Sequence, residues 1–406
     1  MTKLTEAGAL VWAQPVGGPT VALAASGGNV YATGSFSGTA EFGSATYTAL
    51  GNNDMYVVKL TDAGATGSYA WTQRIGFALP TAARAIAVSG SSVYVAGIYY
   101  NSTSIGNLAL PGQNSFIAKL TDTGAGSSAS WVQLLSSPAN SRSVAVLALA
   151  ASGSTVYLAG NFTGRATIGA TTLTSIGDQD LLVGRLTDAG TTAHVNWVRQ
   201  AGGASGGHSA SSLIVSGSSV YVAGTYTGAF GFDGNVAVAA GNGAVVIKLI
   251  DTGTMASLAW LQYSTGTGMQ ANVMTRSGNN LYVAGIVGAG STFGALTIPA
   301  PSGPRAFLAA LAPSIEAGPL STSKSASLPG LGLYPNPATN TATVRVPAGA
   351  GAATLTLVDG LGRLVRTAQV PAGQDYALKL SGLVPGMYAV QVWLGERLAT
   401  QQLVVE

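Results

Sequence analysis

The chain of 406 residues contains no cysteine, which excludes disulfide bridges and thiolate metal sites. Charge is almost as scarce. Asp, Glu, Lys and Arg make up 8% of the residues, against roughly 25% in an average soluble domain. Long amphipathic helices need Lys and Glu on their outer face. Their shortage, with 56 glycines and abundant Val, Thr and Ser, points to short strands joined by tight turns. The formal net charge is +3, with twelve basic and ten acidic residues before Pro313 and six against five after it. No block of like charge stands out, so neither nucleic acid nor a polybasic membrane contact is expected. The longest purely apolar run, Val144 to Ala151, is far shorter than the ~18 residues of a membrane helix, and no transmembrane segment is expected. The start of the chain lacks the basic n-region and the ~7–15 apolar residues of a signal peptide. Its nearest candidate, Thr20 to Ser26, aligns with a repeat instead.

Repetition dominates residues 1–312. A short motif appears five times: Val30 to Gly34 (VYATG), then VYVAG at 93–97, VYLAG at 156–160, VYVAG at 220–224 and LYVAG at 281–285. Its tyrosines, Tyr31, Tyr94, Tyr157, Tyr221 and Tyr282, recur every 61 to 64 residues. Before each lies an apolar segment ending in Ser-Gly or a close variant. After each come a strand of the type FIAKL (116–120), a T-D-x-G turn and a tryptophan. From the tyrosine to Phe42, Ile105, Ile168, Phe232 or Phe293 is 11 residues in every repeat, and from Leu60, Leu120, Leu186 and Leu249 to the following tryptophan is also 11. A constant interval across a Gly-containing turn marks a hairpin whose register is held by turn chemistry. Tryptophan to the next tyrosine varies from 19 to 26, so that loop is free to change. Each repeat therefore reads as four strands: A (as AIAVSG, 85–90), B (VYVAG), C (FIAKL) and D (around the tryptophan).

Four strands per unit, repeated five times, suggest β-propeller blades. Gly34 to Gly43 (GSFSGTAEFG) and Asp54 to Leu60 (DMYVVKL) resemble the repeats of secreted bacterial β-propeller proteins. That resemblance implies architecture and says little of activity. The last repeat has no tryptophan strand, and the chain opens with an unmatched one, Leu10 to Gln14. Pairing that opening strand antiparallel with Ala306 to Ala312 would close the ring and remove its edges. Lys3 to Gly8 (KLTEAG), a remnant of a C strand and its turn, favours a competing reading in which the natural product begins upstream.

Pro313 to Pro329 breaks the pattern and reads as a linker. Seven short strand-like segments follow, enough for a small sandwich of immunoglobulin-like type. The fold class expected is thus all-β: a five-repeat β-propeller over 1–312, a linker over 313–330 and a β-sandwich over 331–406. In the sandwich, Tyr334-Pro335-Asn336-Pro337, Asp359 to Arg363 (D-G-L-G-R, with Gly362), Gly386-Met387-Tyr388 and the terminal Leu403 to Glu406 resemble, in order, spacing and position, the C-terminal sorting signal of Bacteroidetes-type type IX secretion. The terminal strand lacks the lysines often found there. The resemblance implies handling by the type IX secretion machinery at the outer membrane, and a final location at the cell surface or outside the cell.

Chemistry is hard to find. The five A segments, which would line a propeller channel, contain no Asp, Glu or His, so paired carboxylates of glycosidase type have no source there. Asp62, Asp122, Asp188 and Asp251 sit in T-D-x-G turns, where Asp bonds its own backbone. Asp54 and Asp180 share a repeat position that Asn114, Gly243 and Arg305 hold elsewhere, so a calcium site in every repeat fails, and a solvated turn is expected. His194 and His208 read as exposed loop residues, and the tryptophans as packing between repeats. No catalytic residue, metal site or cofactor is expected. The functional reading is an exported, non-catalytic binding or structural protein, with a secreted polysaccharide-acting hydrolase as the alternative. A surface glycan or protein ligand would meet the variable loops 75–83, 134–143, 199–209 and 263–270, with Phe77, Arg142, Arg199, His208 and Tyr263 as candidate contacts.

Overall fold

The structure, a computed structural model, describes residues 1–406 apart from 77–80, 101, 113, 137–143, 234, 239–240, 266–267, 279, 289–290, 294–295, 298–304, 312–330, 347, 349–351, 360–363 and 395–396. The described residues form strands and no helix. They divide into two compact bodies, Met1–Ile315 and Glu316–Glu406.

In the first body each repeat is an antiparallel sheet whose strands neighbour one another in chain order. Repeat 1 consists of A Thr20–Ser26, B Asn29–Phe36, C Asp54–Asp62 and D Gly67–Ile75. Repeat 2 has Thr81–Ser89, Ser92–Tyr99, Asn114–Asp122 and Ser127–Ser136, and repeat 3 has Val144–Ser152, Thr155–Phe162, Asp180–Asp188 and Ala193–Gly202. Repeat 4 has Ser209–Ser216, Ser219–Thr227, Asn242–Asp251 and Ala256–Thr265, while repeat 5 has A Gln270–Ser277, B Asn280–Val287 and C Arg305–Leu311. The A–B turn is tight because Gly27, Gly90, Gly153, Gly217 and Gly278 all take φ between 54 and 59°, a conformation that costs a side chain with a Cβ.

Strands B and C carry apolar residues on both faces because both faces are covered. In repeat 2, Tyr94, Ala96 and Ile117 on one face share a core cluster with Leu149, Val156 and Leu158 of repeat 3. On the other face, Val93, Val95, Phe116 and Ala118 pack with Tyr31, Met55 and Val57 of repeat 1. Each sheet thus presents a following face to the next repeat and a preceding face to the previous one. Fully burying one such Val, Ile or Phe is worth ~1.5–3 kcal/mol, so stacking supplies what a single sheet cannot. The A strands of consecutive repeats lie against one another all along the series.

The constant 11-residue interval after each tyrosine has a structural cause. A short hairpin lies between B and C, and in repeats 3, 4 and 5 its first strand docks on strand D of the preceding repeat, while in repeats 1 and 2 its two strands pair only with each other. Ile168 pairs with Leu135, Phe232 with Ala201 and Phe293 with Ser264. Where it docks, two adjacent repeats share one sheet, and the spacing there cannot drift.

The opening strand does not pair with the end of the array. Leu10–Ala13 pairs with Thr2–Leu4, and Arg305–Leu311 pairs with strand B of repeat 5. Ring closure through these two strands is therefore not how the chain is arranged. Lys3 stands opposite Trp12, as Lys59 stands opposite Trp71. The opening segment is a C–D hairpin in its own right, its two strands paired with each other.

The second body has two sheets around one core. Gly332–Tyr334, Thr341–Arg345 and Asp375–Lys379 form one, and Leu364–Pro371, Ala352–Asp359, Gly386–Leu394 and Arg397–Val405 form the other. Ala342, Val344 and Leu378 of the first meet Leu355, Leu357, Val390, Val392 and Leu403 of the second in one cluster. Tyr388, Val390 and Val392 alternate onto that inner face, as the period-two pattern of this strand requires.

Candidate functional site

The T-D-x-G turns do more than turn the chain. Asp122 Oδ1 accepts the backbone N–H of Gly124 at 2.8 Å, the local bond expected of a turn aspartate. It also accepts Trp71 Nε1–H at 2.9 Å, while Oδ2 takes the Tyr31 hydroxyl at 2.7 Å and pairs with Lys59 Nζ at 2.7 Å. All three side-chain partners belong to the preceding repeat. Asp188 repeats the set with Trp131, Tyr94 and Lys119, and Asp251 repeats it with Trp197, Tyr157 and Arg185. Asp62 takes Lys3 at 2.7 Å and Trp12 at 3.1 Å from the opening hairpin, which has no tyrosine. A β-bulge at the same place in strand D of each complete repeat sets the tryptophan opposite the cation. We call this unit the latch.

The latch is mostly dry. Lys59 and Asp122 side chains are 8% and 7% exposed. Burial pushes the Asp122 carboxyl upward, but hydrogen bonds from Lys59, Tyr31, Gly124 and Trp71 outweigh it and hold the group at about 2. Asp188 and Asp251 are likewise held below the ordinary carboxylate range against burial. On the other side of the bond, burial and then the Asp251 carboxylate push the Tyr157 hydroxyl up to about 12. Each tyrosine ring also lies 5.9–6.3 Å from its tryptophan ring, in Tyr31–Trp71, Tyr94–Trp131, Tyr157–Trp197 and Tyr221–Trp260. Sequence reasoning found the aspartates and tryptophans separately and missed their union. The signal was a Lys or Arg recurring inside an otherwise apolar C strand, where a buried cation needs an anion.

Asp54 and Asp180 are fully buried, not solvated as expected. They cap the segments ahead of their own strands: Asp54 accepts Leu50 N–H at 3.1 Å and faces Arg74 Nε at 3.7 Å, and Asp180 accepts Ile176 N–H at 2.7 Å and the Gln200 amide. Asp178, its sequence neighbour, points to solvent. No group of three metal-binding side chains forms among the described residues.

Three of the five candidate ligand contacts are described, and they differ in exposure. His208 is fully buried, which corrects its reading as an exposed loop residue; its ring lies 5.1 Å from that of Phe230 and burial lowers its pKa. The loop ahead of it is pinned by His208 N–H to Gln179 O at 3.0 Å. Arg199 is half-buried, donating to Ala256 O at 3.1 Å and facing Asp233 at 3.4 Å. Tyr263 is half-buried edge-on against Tyr226. Phe77 and Arg142 lie outside the described residues, and His194 is exposed.

In the second body the Tyr334–Pro337 segment ties the start of the domain to its end. Asn336 Oδ1 accepts Val404 N–H at 2.8 Å, Ala338 N–H donates to Val404 O at 2.9 Å, and Glu406 N–H donates to Ala338 O at 3.0 Å. Pro335 and Pro337, both following cis peptide bonds, flank Asn336. The Tyr334 hydroxyl donates to Asp375 at 2.6 Å, and Arg345 bonds the same carboxylate at 3.2 Å while lying 5.5 Å over the tyrosine ring. Tyr388, in the strand that opens at Gly386, is buried and donates to Val384 O at 2.7 Å. Asp359 stands opposite Tyr388 in register, whereas Gly362 and Arg363 lie outside the described residues.

Residues 332–406 match the family described as the secretion system C-terminal sorting domain. The chain therefore ends in a type IX sorting domain, which implies handling by the type IX secretion machinery and export to the cell surface or outside. No curated protein matches the chain. Among the described residues no helix is long and apolar enough to cross a membrane.

Proposed function

We propose that this is an exported, non-catalytic binding or structural protein, in which the five repeats are blades of β-propeller type and the sorting domain is a sandwich of immunoglobulin-like type. The observation that carries the reading is where the carboxylates go. Of the ten in the repeat region, four are taken by latches and two, Asp54 and Asp180, are buried and accept backbone N–H groups ahead of their own strands. Acids tied to a buried cation, a tyrosine and a tryptophan hold the scaffold and are poor donors or acceptors of protons for chemistry. The blade reading is supported by the A–B–C–D order of every complete sheet and by A strands that lie against one another in series. The two-sheet, seven-strand build of the second body supports the sandwich type.

What is bound, a surface glycan or a protein, would be met by the loops between D and A, where repeat length varies most. Of the candidate contacts, Arg199 and Tyr263, both near the end of a D strand, are described with accessible surface. Binding to a glycan array that falls on Arg199→Ala or Tyr263→Ala supports this face. Loss only on substitution around the T-D-x-G turns contradicts it. The export reading is tested separately by deleting residues 331–406 from a full-length version carrying its signal peptide in a type IX-competent host. The deleted form should stay inside the cell, and its normal surface display by protease accessibility would overturn the reading. Release of reducing ends from a polysaccharide panel would overturn the non-catalytic part.

A further inference from the structure

Strand A of every repeat is entered through the same position. Two residues before the pairing partner of each motif glycine stand Gly18, Thr81, Val144, His208 and Met269. The last four are buried, none more than 5% exposed. Val144 and Met269 are apolar. Thr81 is polar but satisfied, its hydroxyl donating to Ile75 O at 2.9 Å and accepting the Met55 N–H at 2.9 Å. His208 alone puts an ionisable group there, and neither of its ring nitrogens has a hydrogen-bond partner among the described residues. A buried polar group in that condition is unfavourable, and a buried charge far more so.

Backbone contacts hold the ring in place. His208 N–H donates to Gln179 O at 3.0 Å, as Thr81 N–H donates to Asn53 O at 3.0 Å in repeat 2, and Gln179 also bridges Gly207. Gly203 and Gly206 pass so close to Ala229 O and Thr227 O that neither has room for a Cβ. Segment 203–208 is thus clamped between the entry to strand C of repeat 3 and the turn that follows strand B of repeat 4. The one charge acting on the ring is the Asp180 carboxylate. Its Oδ2 is already bonded to Ile176 N–H and the Gln200 amide, and its Oδ1 has no partner among the described residues. Burial lowers the pKa of the ring and outweighs the attraction of Asp180, which raises it. The other titratable neighbours are engaged or outside: Tyr226 gives its hydroxyl to Ser264 O at 2.6 Å, Arg199 faces Asp233 at 3.4 Å, and Asp178 is exposed.

We propose that His208 is an acid-sensitive pin: neutral, it keeps segment 203–208 folded beneath repeat 4, and protonated, it releases that segment to solvent while the rest of the repeat body stays closed. Release takes up a proton, because the ring is held below its ordinary value of 6.5 only while it is buried. The closed form is therefore fully stable above 6.5 and loses ground below it, the opening constant rising by up to about tenfold per pH unit. Segment 199–209 is one of the variable D–A loops, so the pin sits in the proposed ligand face. Its protonation rests on neither a ligand nor the non-catalytic reading.

The test uses the full chain with His194→Gln, which leaves His208 as its single histidine. NMR titration of the His208 ring should show ionisation below 6.5. In hydrogen exchange between about pH 7 and about pH 4.5, protection of the His208 amide should fall by up to about tenfold per pH unit. The Thr81 amide, which makes the same bond in repeat 2, should keep its protection throughout. His208→Met and His208→Val, the side chains that repeats 5 and 3 carry at this position, should hold the segment closed across the range. Ionisation at or above 6.5 overturns the proposal. So does equal behaviour of the His208 and Thr81 amides, or acid release that persists in either substituted chain. The two amides are compared within one molecule, so that outcome stands even where a substituted chain fails to fold.

Discussion

The two bodies use polar side chains for the same purpose at different ranges. In the repeat region the latch aspartates join neighbouring sheets: Asp122 reaches Trp71, Lys59 and Tyr31, which lie 51, 63 and 91 residues earlier. In the sorting domain Asn336 joins the first and last strands of one small sandwich, 68 residues apart. The first kind is charged, dry and repeated, and the second is neutral, half-open and single. The difference teaches how each body is stabilised. A stacked array has no closed core of its own in any repeat, so it needs a bond at each junction. A sandwich encloses its core and needs only its open end tied.

The comparison breaks most visibly at a latch. Asp122→Ala leaves Lys59, Tyr31 and Trp71 without their acceptor in a nearly dry site, and we expect a loss of ~3–5 kcal/mol, read as a lower denaturation midpoint of the repeat body. Replacing the pair together, Lys59→Met with Asp122→Leu, should recover most of that loss, because no uncompensated charge then remains. A double variant as unstable as the single one would mean that the turn geometry matters more than the ion pair.

Acid should separate the two bodies next. The latch carboxyls have lowered pKa values in the folded chain, so their contribution is complete above the ordinary value of 3.8 and lost as pH falls through about 2 for Asp122. Hydrogen exchange at decreasing pH should therefore open Met1–Ile315 before the sorting domain, where the one clearly lowered carboxyl among the described residues, Asp375, is exposed. In alkali the sign reverses: the Tyr157 hydroxyl is raised from 10.0 to about 12, so its contribution is present below 10 and lost as pH rises through about 12. Simultaneous opening of both bodies in acid would show that the latches do not set this limit.

A smaller effect is expected in the sandwich. Asn336→Ala removes one acceptor from the Val404 amide and should cost about 1 kcal/mol, seen as faster exchange at Val404 and its neighbours. Tyr334→Phe, at an exposed cluster with Asp375 and Arg345, should leave the melting midpoint unmoved, since exposed pairs contribute little. If Tyr334→Phe nevertheless blocks export, the residue is read by the secretion machinery and is not needed for the fold.

Much of the architecture was visible in residue order, and the particular failures are informative. The Ser-Gly turns, the strand order and the Tyr-to-Phe42 type spacing follow from local chemistry: positive φ needs glycine, and a short paired hairpin needs constant length. The burial of His208 and Asp54 is not visible in residue order because both sit among Gly, Ser and Asn, the composition of exposed loops. The opening strand was expected to seek a distant partner, yet Thr2–Leu4 was adjacent and carried the matching Lys3.

Sequence alone determined the period of the array, the all-β class and the sorting motif, because each rests on residues close together in the chain. Only the tertiary structure decided which polar groups meet. The partners of Asp122 lie in another repeat, and hydrogen bonding depends on distance in space, which five similar repeats could have satisfied in several pairings. It also decided which apolar residues stay exposed. Leu23 and Ile86 occupy the same place in the pattern, yet Leu23 is 56% exposed and Ile86, packed with residues of repeat 1, is 5% exposed.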